Sequence, residues 1–336
     1  MNIKLSTLAA AVTAALAIGA TGQASAAIYG GAAINVDNLT VAIFESTTGT
    51  LATVNSFDFR TSTSSDLNGV IGPNNISTCS QSGGCGGPGL PVVLNSAPSS
   101  VGTVRTDNAF TFIGPGVSAQ YGSADNVIWD ANLVGDAKTQ VQGIAEAELT
   151  GGGSTAGASS TIRSTTGFTF NFTLAGPGTF ILDFFADPDL FAQLIDPTAS
   201  SGTASASIST NFRITGTSTG NNISWAPVGI AGNQCLQTGA GTGVCVENFD
   251  TGNLNTSVSA PFGGSDQSSF DPLANTLTRY GITITNLAAG AYSFTLATTQ
   301  EANVTRVARV PEPGMLALLG IGLLGFGLSA RRKKLV

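Results

Sequence analysis

Apolar and polar residues alternate along several stretches of this chain, and that period of two is the strongest constraint on its fold. Phe168, Phe170, Phe172 and Leu174 alternate with Thr169, Asn171 and Thr173. Successive side chains of a β-strand point to opposite faces, so such a segment buries one face and wets the other. Wound as a helix, the same phenylalanines would scatter around the circumference. Gly176-Pro177-Gly178 then marks a turn, and residues 179–184 run on as a second apolar stretch. Together the two predict a β-hairpin. Ala204, Ala206, Ile208, Thr210, Phe212 and Ile214 predict a further strand. Ile282 and Ile284, a turn at 286–290, and Tyr292, Phe294 and Leu296 predict a last hairpin. Shorter strands are expected at 40–45, 54–60, 104–113 and 127–132. In 137–149 the Ala-Glu-Ala-Glu-Leu run suits a helix, but Val141, Ala145, Ala147 and Leu149 fit a strand, which is the reading taken.

Composition extends this to a fold class. The chain holds 43 glycines, 13 prolines and 18 phenylalanines, and only 10% of its residues are charged. Many short strands broken by Gly and Pro turns predict an all-β protein, a β-sandwich of jelly-roll or immunoglobulin-like type. Residues 27–298 read as this exported region, either one domain or two split near 151–160. There Gly151-Gly152-Gly153-Ser154 and the small residues after it resemble a flexible connector. Residues 299–310 read as a stalk.

Both ends carry targeting features. Lys4 precedes an apolar stretch at 5–20, and Ala24-Ser25-Ala26 places small residues at the cleavage positions. This is the pattern of a secretory signal peptide over 1–26, cut after Ala26 between Ala24, Ala26 and the mature start at Ala27. At the other end stand Pro311, Glu312 and Pro313, then an uncharged run over 314–330, then Arg331, Arg332, Lys333 and Lys334. The prolines fix φ and remove donors, so this backbone is extended and open to a processing enzyme. As a helix the apolar run would span about 25 Å, short of a bilayer core of about 30 Å but enough for a transient anchor. The cations after it would hold the C-terminus on the cytoplasmic side.

A Pro-Glu-Pro triplet, a short membrane-seeking helix and a basic stop closely resemble the PEP-CTERM sorting signal, here over 311–334. The resemblance implies an exosortase-like processing enzyme and the export machinery as partners. It implies a place at the cell surface or in an exopolysaccharide matrix, with membrane contact through the C-terminal transmembrane helix before processing. It covers the tail and not the mature region.

Residues 27–313 keep eight of the 13 cationic side chains and all 20 acidic ones, a net charge of −12. That disfavours nucleic acid and anionic lipid, which are drawn to basic patches. The four cysteines form two local pairs in glycine-rich loops, Cys79 with Cys85 and Cys235 with Cys245. In an exported chain such pairs predict disulfides. A zinc site would need CxxC spacing or histidine, and neither is present.

The absence of histidine from the chain removes histidine-based acid–base and triad catalysis. Carboxylates remain, and a glycoside hydrolase needs two facing one another across a cleft. Glu45, Glu146, Glu148, Glu247 and Glu301 exist, but nothing in the sequence pairs any two of them. Asp183, Asp187 and Asp189 form the better of two acidic clusters for calcium, which takes several oxygen ligands on a flexible loop. The other is Asp125, Asp130 and Asp136. The competing reading is that such carboxylates cap turns, so no cofactor is expected.

The resulting expectation is a non-enzymatic structural or adhesive protein of the surface or matrix. The alternative is a carbohydrate-binding module with Trp129, Trp225, Tyr121 or Tyr280 exposed for sugar stacking. Behind both stand a glycoside hydrolase and an ice-binding protein. Some ice-binding proteins carry a similar tail, but the Thr-rich stretches here follow no fixed repeat. The end signals make a direct prediction: the exported chain begins at Ala27 and lacks residues 314–336. Intact mass spectrometry checks it, and a mass retaining that segment would mean a permanent anchor.

Overall fold

The computed structural model describes residues 27–80, 93–116, 120–129, 139–150, 155–162, 168–196, 199–230, 232–268 and 276–308. Strands in chain order are β1 (Ala27–Glu45), β2 (Thr53–Leu67), β3 (Val70–Ile71), β4 (Asn75–Ser80), β5 (Leu94–Val101) and β6 (Tyr121–Trp129). There follow β7 (Thr139–Thr150), β8 (Thr155–Ile162), β9 (Phe168–Leu174), β10 (Gly178–Ile195), β11 (Ala199–Gly216) and β12 (Asn222–Trp225). The last six are β13 (Leu236–Thr238), β14 (Val244–Asp250), β15 (Asn255–Ser259), β16 (Gly264–Ser268), β17 (Thr278–Leu287) and β18 (Gly290–Ala308). They form two antiparallel sheets. The 8-stranded sheet A runs β14-β17-β10-β1-β7-β6-β5, with β16 beside β10. The 10-stranded sheet B runs β13-β12-β11-β18-β8-β2-β3, with β15, β4 and β9 paired off that path. The sheets face one another as a sandwich, and each has more strands than a jelly-roll or immunoglobulin sheet.

Neither predicted hairpin is a hairpin. β9 pairs with β18 and β2 in sheet B, whereas β10 pairs with β1 and β17 in sheet A. Likewise β17 lies in sheet A and β18 in sheet B. At each turn the chain arches from one sheet to the other. The two strands of each arch meet through their inward side chains rather than their backbones. Phe172 of β9 stacks on Phe180 of β10 with ring centroids 6.2 Å apart. Phe180 touches Phe294 at 5.3 Å, and Phe294 touches Phe170 at 4.9 Å. Phe184, Phe212, Trp225 and Tyr280 continue this layer. All are buried.

Three other expectations are corrected. Residues 104–113 form no strand but part of a strap, described below. The expected connector at 151–160 runs into β8, which lies between β18 and β2 inside sheet B. The stalk at 299–310 is, over its described part, the second half of β18, paired with β11 as far as Ala308. Its Ala302, Val304 and Arg306 point inward and are buried, and Arg306 Nε meets Asp196 at 2.5 Å. Of the 137–149 stretch the described part, from Thr139, is strand, as β7: Val141, Ala145, Ala147 and Leu149 face the core while Glu146 and Glu148 face the other way.

At the β2 edge the two sheets join through hydroxyls instead of rings. Thr61 and Ser96 share a hydrogen bond of 2.6 Å, and Ser65 and Ser99 one of 2.8 Å. All four are buried. Away from this edge the aromatic layer and the aliphatic residues beside it form one buried core between the sheets. Phe294→Ala removes a ring touching three others and should cost about 3–5 kcal/mol, read by chemical denaturation.

Candidate functional site: a strapped carboxylate cluster

Sheet A carries a second buried surface on its outer side. β1, β6 and β7 are buried on both faces where residues 102–116 cross them as a strap. The outward residues beneath are Tyr29 on β1, Tyr121, Ser123 and Asp125 on β6, and Glu146 and Glu148 on β7. Each of these is 0% exposed. Gly31 leaves the room the strap needs, because a methyl group there would come within 2.8 Å of the Phe112 ring. Phe110 closes the far end, edge-on to Trp129 at 6.0 Å.

Arg105 enters from the strap and forms a buried ion pair with Glu146. Its guanidinium also donates to Ser123 Oγ at 3.2 Å and to the carbonyls of Ala109 and Thr111. Glu146 collects further donors. Tyr29 OH donates to Oε1 at 2.7 Å, and Tyr121 OH at 3.4 Å. The strap's own Ile113 and Gly114 N–H groups donate at 3.1 and 3.2 Å. Glu148 accepts from the Gly116 N–H at 2.6 Å, and Asp125 from the Asn108 N–H at 2.8 Å. Three carboxylates on two adjacent strands thus pin the strap backbone at three points.

Burial sets the electrostatics. It is the largest cause raising the Asp125 carboxyl to about 6, with the nearby Asp107 charge adding to it. Burial likewise raises Glu148 above the usual carboxylate range and holds the Tyr29 and Tyr121 hydroxyls protonated. It lowers Arg105, opposed by charges including Asp125. A carboxyl whose folded pKa is raised contributes stability below its unfolded pKa, and loses it as pH rises through the folded value. For Asp125 that window runs from about pH 4 to about 6. Asp125 therefore contributes more to folding stability in mild acid than at pH 7.

A second acidic site clasps the open side of the sandwich. The Cys235–Cys245 disulfide, with Cα atoms 5.9 Å apart, joins the segment entering β13 of sheet B to β14 of sheet A. Glu247 of β14 accepts from Trp225 Nε1 of β12 at 2.9 Å and from the Gln234 N–H at 2.7 Å. Asp250 takes the Val228 and Gly229 N–H groups at 3.0 Å each. Burial and a hydrogen bond with Glu247 raise its carboxyl to about 6.

The residues expected to be functional from sequence are distributed otherwise. Asp183, Asp187 and Asp189 do not lie in a loop. They sit along the middle of β10, on its outward face. At roughly 3.3 Å per residue, Asp183 and Asp187 are about 13 Å apart, too far to share one ion. Asp183 instead holds Arg279 with contacts of 2.7 and 3.1 Å, and Asp187 accepts from the Thr276 N–H at 3.0 Å. Of the other cluster, Asp125 serves the strap, while Asp130 and Asp136 lie outside the described residues. Trp225 and Tyr280 lie in the core and Tyr121 beneath the strap, all at 0–1% exposure, which removes them as sugar-stacking platforms, while Trp129 is half-buried against Phe110. Cys79 is disulfide-bonded; Cys85 lies outside the described residues. So do Ala24, Ala26, Pro311, Glu312, Pro313, Arg331 and Arg332.

Sequence reasoning passed over Arg105 and the strap. Its one usable signal was the Glu146 and Glu148 alternation with alanine, which marks two carboxylates on one strand face.

Comparison with known proteins bears on the tail. The family model of the PEP-CTERM protein-sorting motif matches residues 309–333. No curated protein and no solved structure matches the chain. The matched segment makes the chain an exported, exosortase-type substrate with a surface or extracellular destination.

Removing the Glu146 charge would leave Arg105 buried without its counter-ion. Glu146→Gln should destabilise by about 3–5 kcal/mol. Limited proteolysis should then cut first within 102–116. Equal stability and an uncut strap would show that the ion pair does not hold it.

Proposed function

We propose that this chain is a non-enzymatic structural or adhesive protein of the cell surface or exopolysaccharide matrix. Export machinery delivers it, and an exosortase-like enzyme acts on its tail. The observation that carries the reading is the position of the sorting motif. It begins at residue 309, directly after β18 ends at Ala308, with no stalk between. A processing enzyme acting there works at the end of a strand in the middle of sheet B.

Two features support a structural role. The most buried carboxylates, Glu146, Glu148 and Asp125, are spent on holding backbone N–H groups. The outward face of sheet B is hydroxyl-rich. Thr203, Ser205, Ser207 and Ser209 of β11 lie beside Thr305, Asn303, Glu301 and Thr299 of β18. Thr203 and Thr305 share a hydrogen bond of 2.7 Å. Such a face is compatible with a hydrated polysaccharide.

Changing Pro311, Glu312 and Pro313 together to alanine tests the delivery step. The variant should accumulate in the cell envelope at the mass of the unprocessed tail, while the wild-type chain reaches the surface or matrix. Identical processing of both would remove the sorting reading. Incubating the wild-type protein with the producing cell's polysaccharide tests the role. Retention without shortening of the polymer is expected, and shortening would make the protein an enzyme.

A further inference from the structure

Strand β14 is the last strand on one side of sheet A. One edge pairs with β17, and among the described residues no strand pairs with the other. An open edge offers unpaired N–H and C=O groups, a template for strand addition by another chain. Here two of those groups are occupied by a single side chain. Asn233 Nδ2 donates to the Cys245 carbonyl at 2.7 Å, and the Glu247 N–H donates to Asn233 Oδ1 at 3.3 Å. The amide takes the two groups flanking Val246 that an added strand would use.

The arm carrying Asn233 is itself fastened. The Cys235 N–H donates back to Asn233 Oδ1 at 3.2 Å, and the Gln234 N–H donates to Glu247 at 2.7 Å. The Cys235–Cys245 disulfide ties the arm covalently to the strand it covers. Beneath the arm the strand keeps pairing character. Val244 and Val246 are 52% and 47% exposed, and the strand contains no lysine or proline of the kind that blunts edges. A bulge between Glu247 and Phe249 confines the regular edge to 244–247.

We propose that β14 is a latched pairing edge, through which two copies of this chain join by antiparallel strand addition once the Asn233 amide releases the groups flanking Val246. The occupant follows from the strand's own pattern. Antiparallel pairing centred on Val246 sets Val246 against Val246 of the second copy. Glu247 then faces Cys245, so within the regular edge no carboxylate meets another. A centre at Glu247 would place two like charges directly opposite, which is destabilising. The same patch serves both copies, so the contact closes at two chains.

The test uses the full chain in non-ionic detergent, which accommodates its apolar tail. Sedimentation is compared for the wild type, Asn233→Ala, and Asn233→Ala with Val246→Lys. The wild type should sediment as one chain and Asn233→Ala at twice that mass. Adding Val246→Lys, which puts two ammonium groups face to face, should restore the single-chain mass. Association through the tail would be the same in all three and would overturn the proposal. So would a single-chain Asn233→Ala, or a pair that survives Val246→Lys. Should Asn233→Ala lose its far-ultraviolet strand signal, Cys235→Ser with Cys245→Ser replaces it as the unlatched chain, with the same outcomes.

Discussion

One layer of aromatic rings, gripped between two sheets, is the contact on which the rest of the structure depends. Phe170, Phe172 and Phe294 come from sheet B, and Phe180, Phe184 and Tyr280 from sheet A. The first arch contributes Phe170 and Phe172 to one side and Phe180 and Phe184 to the other, and the second contributes Tyr280 to one side and Tyr292 and Phe294 to the other. Burial of such rings is worth about 1.5–3 kcal/mol apiece before packing is counted. The layer also explains the long central strands. β1, β10, β11 and β18 run 18 or 19 residues each and carry inward apolar residues along most of that length.

Where the rings stop, charged and hydroxyl groups take over with defined partners. The β2 edge closes with serine and threonine pairs, and the β14 edge with a disulfide and Glu247. The outer side of sheet A is covered by a strap whose backbone donors are met by Glu146, Glu148 and Asp125. Buried backbone N–H groups left without acceptors would each cost about 1–3 kcal/mol. The acids therefore solve a local problem of the fold. Their cost is the burial that raises Asp125 and Glu148.

Strand identity was legible from alternation, and strand partnership was not. Phe168 to Leu174 and the following Phe180 to Phe184 read the same whether they pair side by side or face each other across a core. Only the partners 100 or more residues away decide, as in Phe170 opposite Phe294 of β18. The strap failed for a related reason. Val104 to Ile113 carries enough apolar residues to read as a strand, yet Val104 is 80% exposed and Arg105 is buried by Glu146, 41 residues on. The calcium reading of Asp183, Asp187 and Asp189 assumed that Asp-Pro ends a strand. Here Pro188 sits within β10, beside Ile34 of β1, and the strand continues. The tail needed no fold at all, because its signal is linear.

The contact of Phe172 with Phe180 across the core follows from the arched topology that places β9 and β10 in opposite sheets. Paired cysteine substitution reads that topology directly. Thr173 of β9 lies beside Ala291 of β18, and both sit on the outward face of sheet B. A hairpin through Gly176-Pro177-Gly178 would instead set Thr173 beside Ile181. The structure predicts that Thr173→Cys with Ala291→Cys cross-links within one chain, while Thr173→Cys with Ile181→Cys does not. Cross-linking of the second pair and not the first would contradict the sandwich.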